Sequence, residues 1–127
     1  MKNIAIITGA SSGIGKEFLL NIPSNIKVDE IWAIAREKKL LESLKEESNS
    51  NIRTFSLDLE KESSLMKIKD LLEEEKPNIK LLINAAGFGK FEKSINISLE
   101  DSIGMIKVND MALTSLCLMA IPYMKKN

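Results

Sequence analysis

Thr8-Gly9-Ala10-Ser11-Ser12-Gly13-Ile14-Gly15 is the stretch whose reading decides the fold. A short apolar run, Ile4-Ala5-Ile6-Ile7, precedes it, and Lys16-Glu17-Phe18-Leu19-Leu20 after it reads as the first turns of a helix. A strand that runs into a glycine-rich turn and then a helix is a phosphate-binding arrangement. Glycines let the backbone turn tightly and let a ligand approach, while the helix N-terminus offers free N–H donors and a positive dipole end. The spacing is Gly-x-x-x-Gly-x-Gly, which differs from the Gly-x-Gly-x-x-Gly of the general dinucleotide fingerprint. A P-loop is excluded, because Glu17 follows Gly15-Lys16 where a Ser or Thr would hold magnesium.

Outward from that turn, the 127 residues are enough for one domain, 1–127, with its own core. Eighteen Lys+Arg balance 18 Asp+Glu, so the formal net charge of +0 gives no reason to expect nucleic acid as a partner. A single cysteine, Cys117, excludes an internal disulfide, and the absence of histidine removes Ser-His-Asp, Cys-His and His-ligated zinc chemistry; no metal site is expected. The apolar run after Lys2 is too short for a signal peptide and no stretch is expected to approach transmembrane length, which places the chain in the cytoplasm with no membrane contact.

The rest of the chain alternates. Lys2 to Thr8 reads as a strand apolar on both faces, as a central parallel strand is. A helix from about Gly13 to Asn21 ends before Pro23, and Ile31 to Ala35 forms a second buried strand that stops at Arg36. Next come a charged helix carrying Leu40, Leu41 and Leu44, a polar loop at Ser48-Asn49-Ser50-Asn51, and a third strand from Ile52 to Leu57. Leu65, Ile68, Leu71 and Leu72 give the next helix its stripe up to Pro77, and Lys80 to Asn84 is the fourth strand. Such alternation with short connections implies right-handed crossovers and a parallel sheet. Ser98-Leu99-Glu100-Asp101 resembles a capping box that starts a last helix reaching about Met124. Leu99, Ile103, Ile106, Leu113, Cys117 and Ile121 form one stripe on it, while Met105, Val108, Met111, Ala112, Leu118 and Met119 cover much of the opposite side. A helix apolar nearly all round is buried on both faces. One face is expected on the sheet, and the cover for the other is expected from outside this chain or from another copy of it.

With these pieces in place, the chain resembles the N-terminal half of a short-chain dehydrogenase/reductase, a family of Rossmann-fold nicotinamide enzymes. Thr8 to Gly15 match the glycine motif, Asp58-Leu59 the residues after the third strand, and Asn84-Ala85-Ala86-Gly87 those after the fourth. Asn109 stands inside the last helix where the family keeps an active-site asparagine. Ala85 replaces the second asparagine of the commoner Asn-Asn-Ala-Gly form. The resemblance implies a doubly wound parallel sheet in order 3-2-1-4. Cofactor contacts are expected from Gly9, Ser11, Ser12, Gly13, Ile14, Gly15, Arg36, Asp58, Leu59, Asn84, Ala85, Ala86 and Gly87, with Asn109 as a catalytic member.

Each piece also has a plainer reading. Ser11 and Ser12 can cap the helix as well as donate to phosphate. Asp58 can terminate a strand and cap the turn after it; the family resemblance implies that its carboxylate accepts from the adenine amino group and that Leu59 N–H meets the ring. Asn84 can stiffen the central strands, with Ala85 to Gly87 lying beside the cofactor. An NAD site usually puts a carboxylate about 20 residues beyond the glycines. Arg36 stands there instead, and a guanidinium suits the 2′-phosphate of NADP, so NADP is expected over NAD. The competing reading pairs Arg36 with Glu37 or a helix neighbour. Gly87-Phe88-Gly89-Lys90-Phe91 either touches substrate or covers the end of the sheet.

The family resemblance also implies a Ser-Tyr-Lys catalytic set. A tyrosine with an unperturbed pKa of about 10 needs a nearby cation to work at neutral pH. The single tyrosine, Tyr123, has Asn127 four residues on and lies on the Asn109 helix, so it reads as a packing residue. The expectation is an NADP-dependent oxidoreductase acting on a carbonyl/alcohol substrate, here a truncated chain inactive alone. The rival is a non-catalytic, self-associating NADP-binding fragment, a homo-oligomer through the last helix or the sheet edge. A methyltransferase would place a carboxylate where Arg36 stands.

Overall fold

The computed structural model describes residues 1–86 and 98–124. Four parallel strands, β1 (Asn3–Thr8), β2 (Glu30–Ala35), β3 (Ile52–Ser56) and β4 (Asn78–Asn84), lie in the order β3-β2-β1-β4. Helices α1 (Gly13–Leu20), α2 (Lys38–Glu47) and α3 (Glu62–Glu75) connect them. The last segment comprises α4 (Leu99–Ile106), a π-helical stretch (Lys107–Ala112) and α5 (Leu113–Met124). The expected sheet order is observed, with strand ends displaced by a residue or two: β3 stops at Ser56, and β4 starts directly after Pro77.

β1 and β2 are apolar on both faces because each face meets helices. Ile4, Ile6, Trp32 and Ile34 point into a core shared with Leu65, Ile68 and Leu72 of α3 and with Ala112, Leu116 and Ala120. The alternate residues Ala5, Ile7, Ile31 and Ala33 pack with Leu19, Leu41 and Leu44 of α1 and α2. The period-2 alternation of a strand thus divides one apolar run between two cores.

The N-terminal ends of the strands are tied by a polar clasp. Glu30, 8% exposed, accepts from Trp32 Nε1 at 2.8 Å and from Lys2 Nζ at 3.4 Å. Arg53 lies 3.9 Å from Glu30, 5.4 Å from the Trp32 ring centre and 5.2 Å from that of Phe55, and donates to both carboxylate oxygens of Glu75 at 2.8 Å. A buried carboxylate is tolerated only with such partners. The pairing also joins β2, β3 and α3 at the end of the sheet away from the glycine turn.

The last segment departs from the expected α-helix in two ways. Ser98 Oγ accepts from Asp101 N–H at 3.0 Å, so the cap forms as read, but the helix passes through π geometry between Lys107 and Ala112. Ala112, Leu116 and Ala120 pack into the core with Ile4, Ile6, Trp32 and Ile34, and Val108 is buried at the groove, whereas Leu99, Ile103, Ile106, Leu113, Leu118 and Ile121 are exposed. Both faces are apolar, and the one with smaller residues lies closer to the strands. The expectation that no stretch approaches transmembrane length is corrected. Leu99–Met124 spans 26 residues with mean hydropathy 1.3 over its most apolar window, enough to cross a bilayer by length and composition.

Trp32→Phe keeps an aromatic ring in the core but removes the 2.8 Å donor from buried Glu30. The expected cost is about 1–3 kcal/mol, read by urea unfolding followed by far-UV circular dichroism.

Candidate functional site

The turn between β1 and α1 is shaped by two backbone requirements. Gly9 has φ +63°, and a Cβ there would stand 2.7 Å from the backbone of Ala85 and Ala86, so only glycine admits this approach. Gly13 has φ +56° with nothing within 4 Å of where its Cβ would be, so conformation sets the need there. A Cβ on buried Gly15 would strike the Gly9 carbonyl oxygen, which lets α1 start tight against the turn. The fourth strand's exit is held from the same place: Ala86 N–H donates to Oγ1 of buried Thr8 at 3.1 Å.

Ser12 is the N-cap residue of α1, yet among the described residues its side chain makes no cap bond, and the first turn contains no acidic residue. The capping reading of the Ser12 hydroxyl therefore has no support in the fold. An uncapped helix start facing a groove keeps N–H donors and a positive dipole end available to an anion.

That groove has a volume of about 380 Å³. It gathers Gly9, Ser11, Ser12, Gly13 and Ile14 from the first turn, Arg36 after β2, Asp58 and Leu59 after β3, and Ala85 and Ala86 after β4. All four segments lie at the carboxyl ends of parallel strands, where open α/β sheets bind ligands. Of the other expected residues, Gly15 supports the turn without lining the groove. Asn84 directs its amide to Cys117 Sγ at 3.4 Å, joining β4 to α5. Asn109 is exposed in the π-helical stretch, one position from groove-lining Val108. Gly87 and the whole Gly87-Phe88-Gly89-Lys90-Phe91 reading lie outside the described residues.

Asp58 combines two positions in one side chain. Its Oδ1 accepts from Glu60 N–H at 3.0 Å, as in the capping reading, while the residue also lines the groove. A second cavity, about 690 Å³, adjoins at Arg36 and Asp58 and continues between Glu60-Lys61 and α4. Arg36 is exposed, its carbonyl accepts from Ser56 Oγ at 2.8 Å, and among the described residues its guanidinium forms no ion pair with Glu37 or a helix neighbour. Glu42, whose carboxyl is held low by the Thr54 hydroxyl and then by Lys45, lies on the outer side of α2, outside the groove.

Sequence reasoning did not single out Ile34, Glu37, Leu40, Leu57 or Val108 as lining residues. Val108 carried a signal, its place beside Asn109, but an apolar residue on a helix apolar all round cannot be told from a packing residue.

A family profile described as short chain dehydrogenase matches residues 3–127. The NADP-dependent 3-hydroxy acid dehydrogenase of Schizosaccharomyces pombe is 31% identical over 121 residues, covering 92% of this chain and 47% of that protein. A probable short-chain type dehydrogenase/reductase of Helicobacter pylori is 26% identical, covering 96% and 43% respectively. Among solved structures, a short-chain dehydrogenase from Sphingobium yanoikuyae in complex with NADPH superposes with a TM-score of 0.79 at 27% identity, covering 94% of this chain and 48% of that one. The bulky-bulky ketone specific alcohol dehydrogenase from Comamonas testosteroni gives 0.76 at 28%, with the same coverage. The chain spans about half the length of the relatives it matches.

Thr8→Val deprives the Ala86 amide of its partner while keeping the side-chain volume. The expected loss is about 1–3 kcal/mol, with faster hydrogen exchange at the Ala86 amide as the local signature.

Proposed function

The chain belongs to the short-chain dehydrogenase family, and from that premise we propose that its groove holds NADP in an oxidoreductase working on a carbonyl/alcohol pair. The observation that carries the reading is the convergence of four separate strand ends on one groove containing both an uncapped helix N-terminus and Arg36. The NADPH in the Sphingobium structure and the NADP dependence in the yeast relative's name support the cofactor assignment.

In this reading the N–H groups at the start of α1, with the Ser11 and Ser12 hydroxyls, hold the pyrophosphate. Gly9 and Gly13 keep the backbone low enough for its approach, and Ile14 begins the helix that supplies the dipole. The Arg36 guanidinium takes the 2′-phosphate through charge-assisted hydrogen bonds. Asp58 accepts from the adenine amino group and Leu59 N–H meets the ring. Ala85, Ala86 and Gly87 border the ribose and phosphates, Asn84 stiffens the strand behind them, and Asn109 joins the active site. Bound NADP supplies the hydride donor or acceptor.

Proton transfer is the part these 127 residues do not provide. Tyr123 is half-buried against the core beneath α5, in agreement with a packing role, and the sequence contains no Tyr-x-x-x-Lys. Hydride transfer needs a positioned acid/base as well as an oriented cofactor. The polypeptide of residues 1–127 is therefore expected not to oxidise NADPH with any of a panel of carbonyl compounds; turnover by it would overturn that part of the proposal.

Arg36→Glu is expected to lower affinity for NADP relative to NAD by about ten- to hundredfold, the size of a lost hydrogen bond to a charged group, measured by titration with both nucleotides. Equal affinities, unchanged by the substitution, would sink the NADP assignment.

The exposed apolar side of α4 and α5 supports a second reading, in which the polypeptide binds nucleotide without turnover and associates with itself. It implies a dimer or larger species in light scattering, and a clean monomer at high concentration would count against it.

A further inference from the structure

The two outer strands of the sheet are finished differently. β3 carries Arg53, Thr54 and Ser56; Arg53 donates to Glu75 and Thr54 to Glu42, so polar and charged side chains flank that edge. β4, at the other edge, reads Asn78-Ile79-Lys80-Leu81-Leu82-Ile83-Asn84. Leu82 packs on the core of Ile4 and Trp32, Leu81 and Ile83 on that of Ile7 and Ile31, and all three are only half-buried. Apolar side chains on both faces belong to a strand with neighbours on both sides. Among the described residues β4 pairs with β1 alone, so its backbone N–H and C=O groups facing away from β1 form an open row. Two more apolar side chains, Ile14 and Phe18, are exposed on α1, which touches β4.

We propose that β4 is an interface between two copies of this chain, paired antiparallel about a two-fold axis at Leu82. The register follows from the side chains. Opposed residues of an antiparallel pair lie on the same face of the sheet, and the register shift of β4 against β1 at Lys80 interrupts the alternation there. Centring on Leu82 sets Leu82 against its counterpart on one face and Leu81 against Ile83 on the other, so these contacts are apolar. Centring on Leu81 would oppose Ile83 to Ile79, which packs on the other face. Centring on Ile83 would draw in Ala85, whose backbone is held against Gly9. Charge permits the pairing. Lys80 faces Asn84, and the two Lys80 positions stand about 14 Å apart, four residues at about 3.4 Å each along the strand. That exceeds the Debye length of about 8 Å at physiological salt. The contact is isologous and closes at two copies. It is independent of what the groove binds and uses a different surface from the α4 and α5 face.

The test is cysteine cross-linking in a Cys117→Ser background, with light scattering on the same samples. Under mild oxidation Leu82→Cys is expected to give a covalent dimer, because opposed Cα atoms about 4.5–5.5 Å apart suit a disulfide. Lys80→Cys, oxidised alike, is expected to stay uncoupled. Hydrogen exchange on the unsubstituted chain needs no variant: the β4 amides facing away from β1 are expected to exchange about tenfold more slowly at millimolar than at micromolar concentration. A monomer at millimolar concentration overturns the pairing, as does a dimer that Lys80→Cys links as readily as Leu82→Cys. If a dimer forms, β4 exchange is independent of concentration and Ile106→Asp dissociates it, association belongs to the α4 and α5 face; this inference then falls while that reading stands. If Leu82→Cys does not fold by circular dichroism, the exchange measurement decides.

Discussion

The backbone of Gly9 meets the backbone of Ala85 and Ala86 at a distance that leaves no room for a Cβ, and the other features of the groove depend on that approach. β1 and β4 pair from Asn3/Asn78 to Thr8/Asn84, with one register shift between Ile4 and Ala5, so the two strands leave the sheet side by side. The glycine turn must then fold back over the exit of β4 if α1 is to start beneath it. The Thr8 hydroxyl fixes this crossing by taking the Ala86 amide, and Gly15 brings the first turn of α1 against the Gly9 carbonyl. The result is a rigid wall with helix N–H groups at its foot. Preorganisation of this kind matters because donors already held in place exchange for an anion's water without a cost of rearrangement.

The opposite end of the sheet answers a different need. There Glu30, Trp32, Lys2, Arg53 and Glu75 join two strands and a helix through charge, hydrogen bonds and ring contact. Polar closure lies at the N-terminal ends, and the groove lies at the carboxyl ends of the strands.

Much of this was legible in the residues. β1 and β2 read correctly because an apolar run with no polar alternation has few homes other than a central parallel strand. The groove read well because glycine spacing, Arg36 and Asp58 each stand at a strand end that the alternation had already located. The last helix read less well. With apolar residues on both sides, hydrophobicity could not choose the packing face, and the stripe containing Leu99, Ile103 and Ile106 ended outside. The choice went to residues spaced by four, with Val108, Ala112, Leu116 and Ala120 buried. The Trp32 and Glu30 contact was not foreseen either, since a carboxylate beside a strand start reads as a solvated end until its partners from Arg53 and Lys2 are seen.

The strand order also governs how this chain can acquire its structure. β1 is made first, yet its pairing with β4 joins residues as far apart as Asn3 and Asn78, whose side chains meet at 2.8 Å. Closing so long a loop costs entropy before any contact between the strands returns it. During synthesis Ile4 to Ile7 can pair with β2 once Glu30–Ala35 has emerged, but one side of the central strand stays open until β4 is made. That interval leaves an apolar, unpaired strand edge open to other chains.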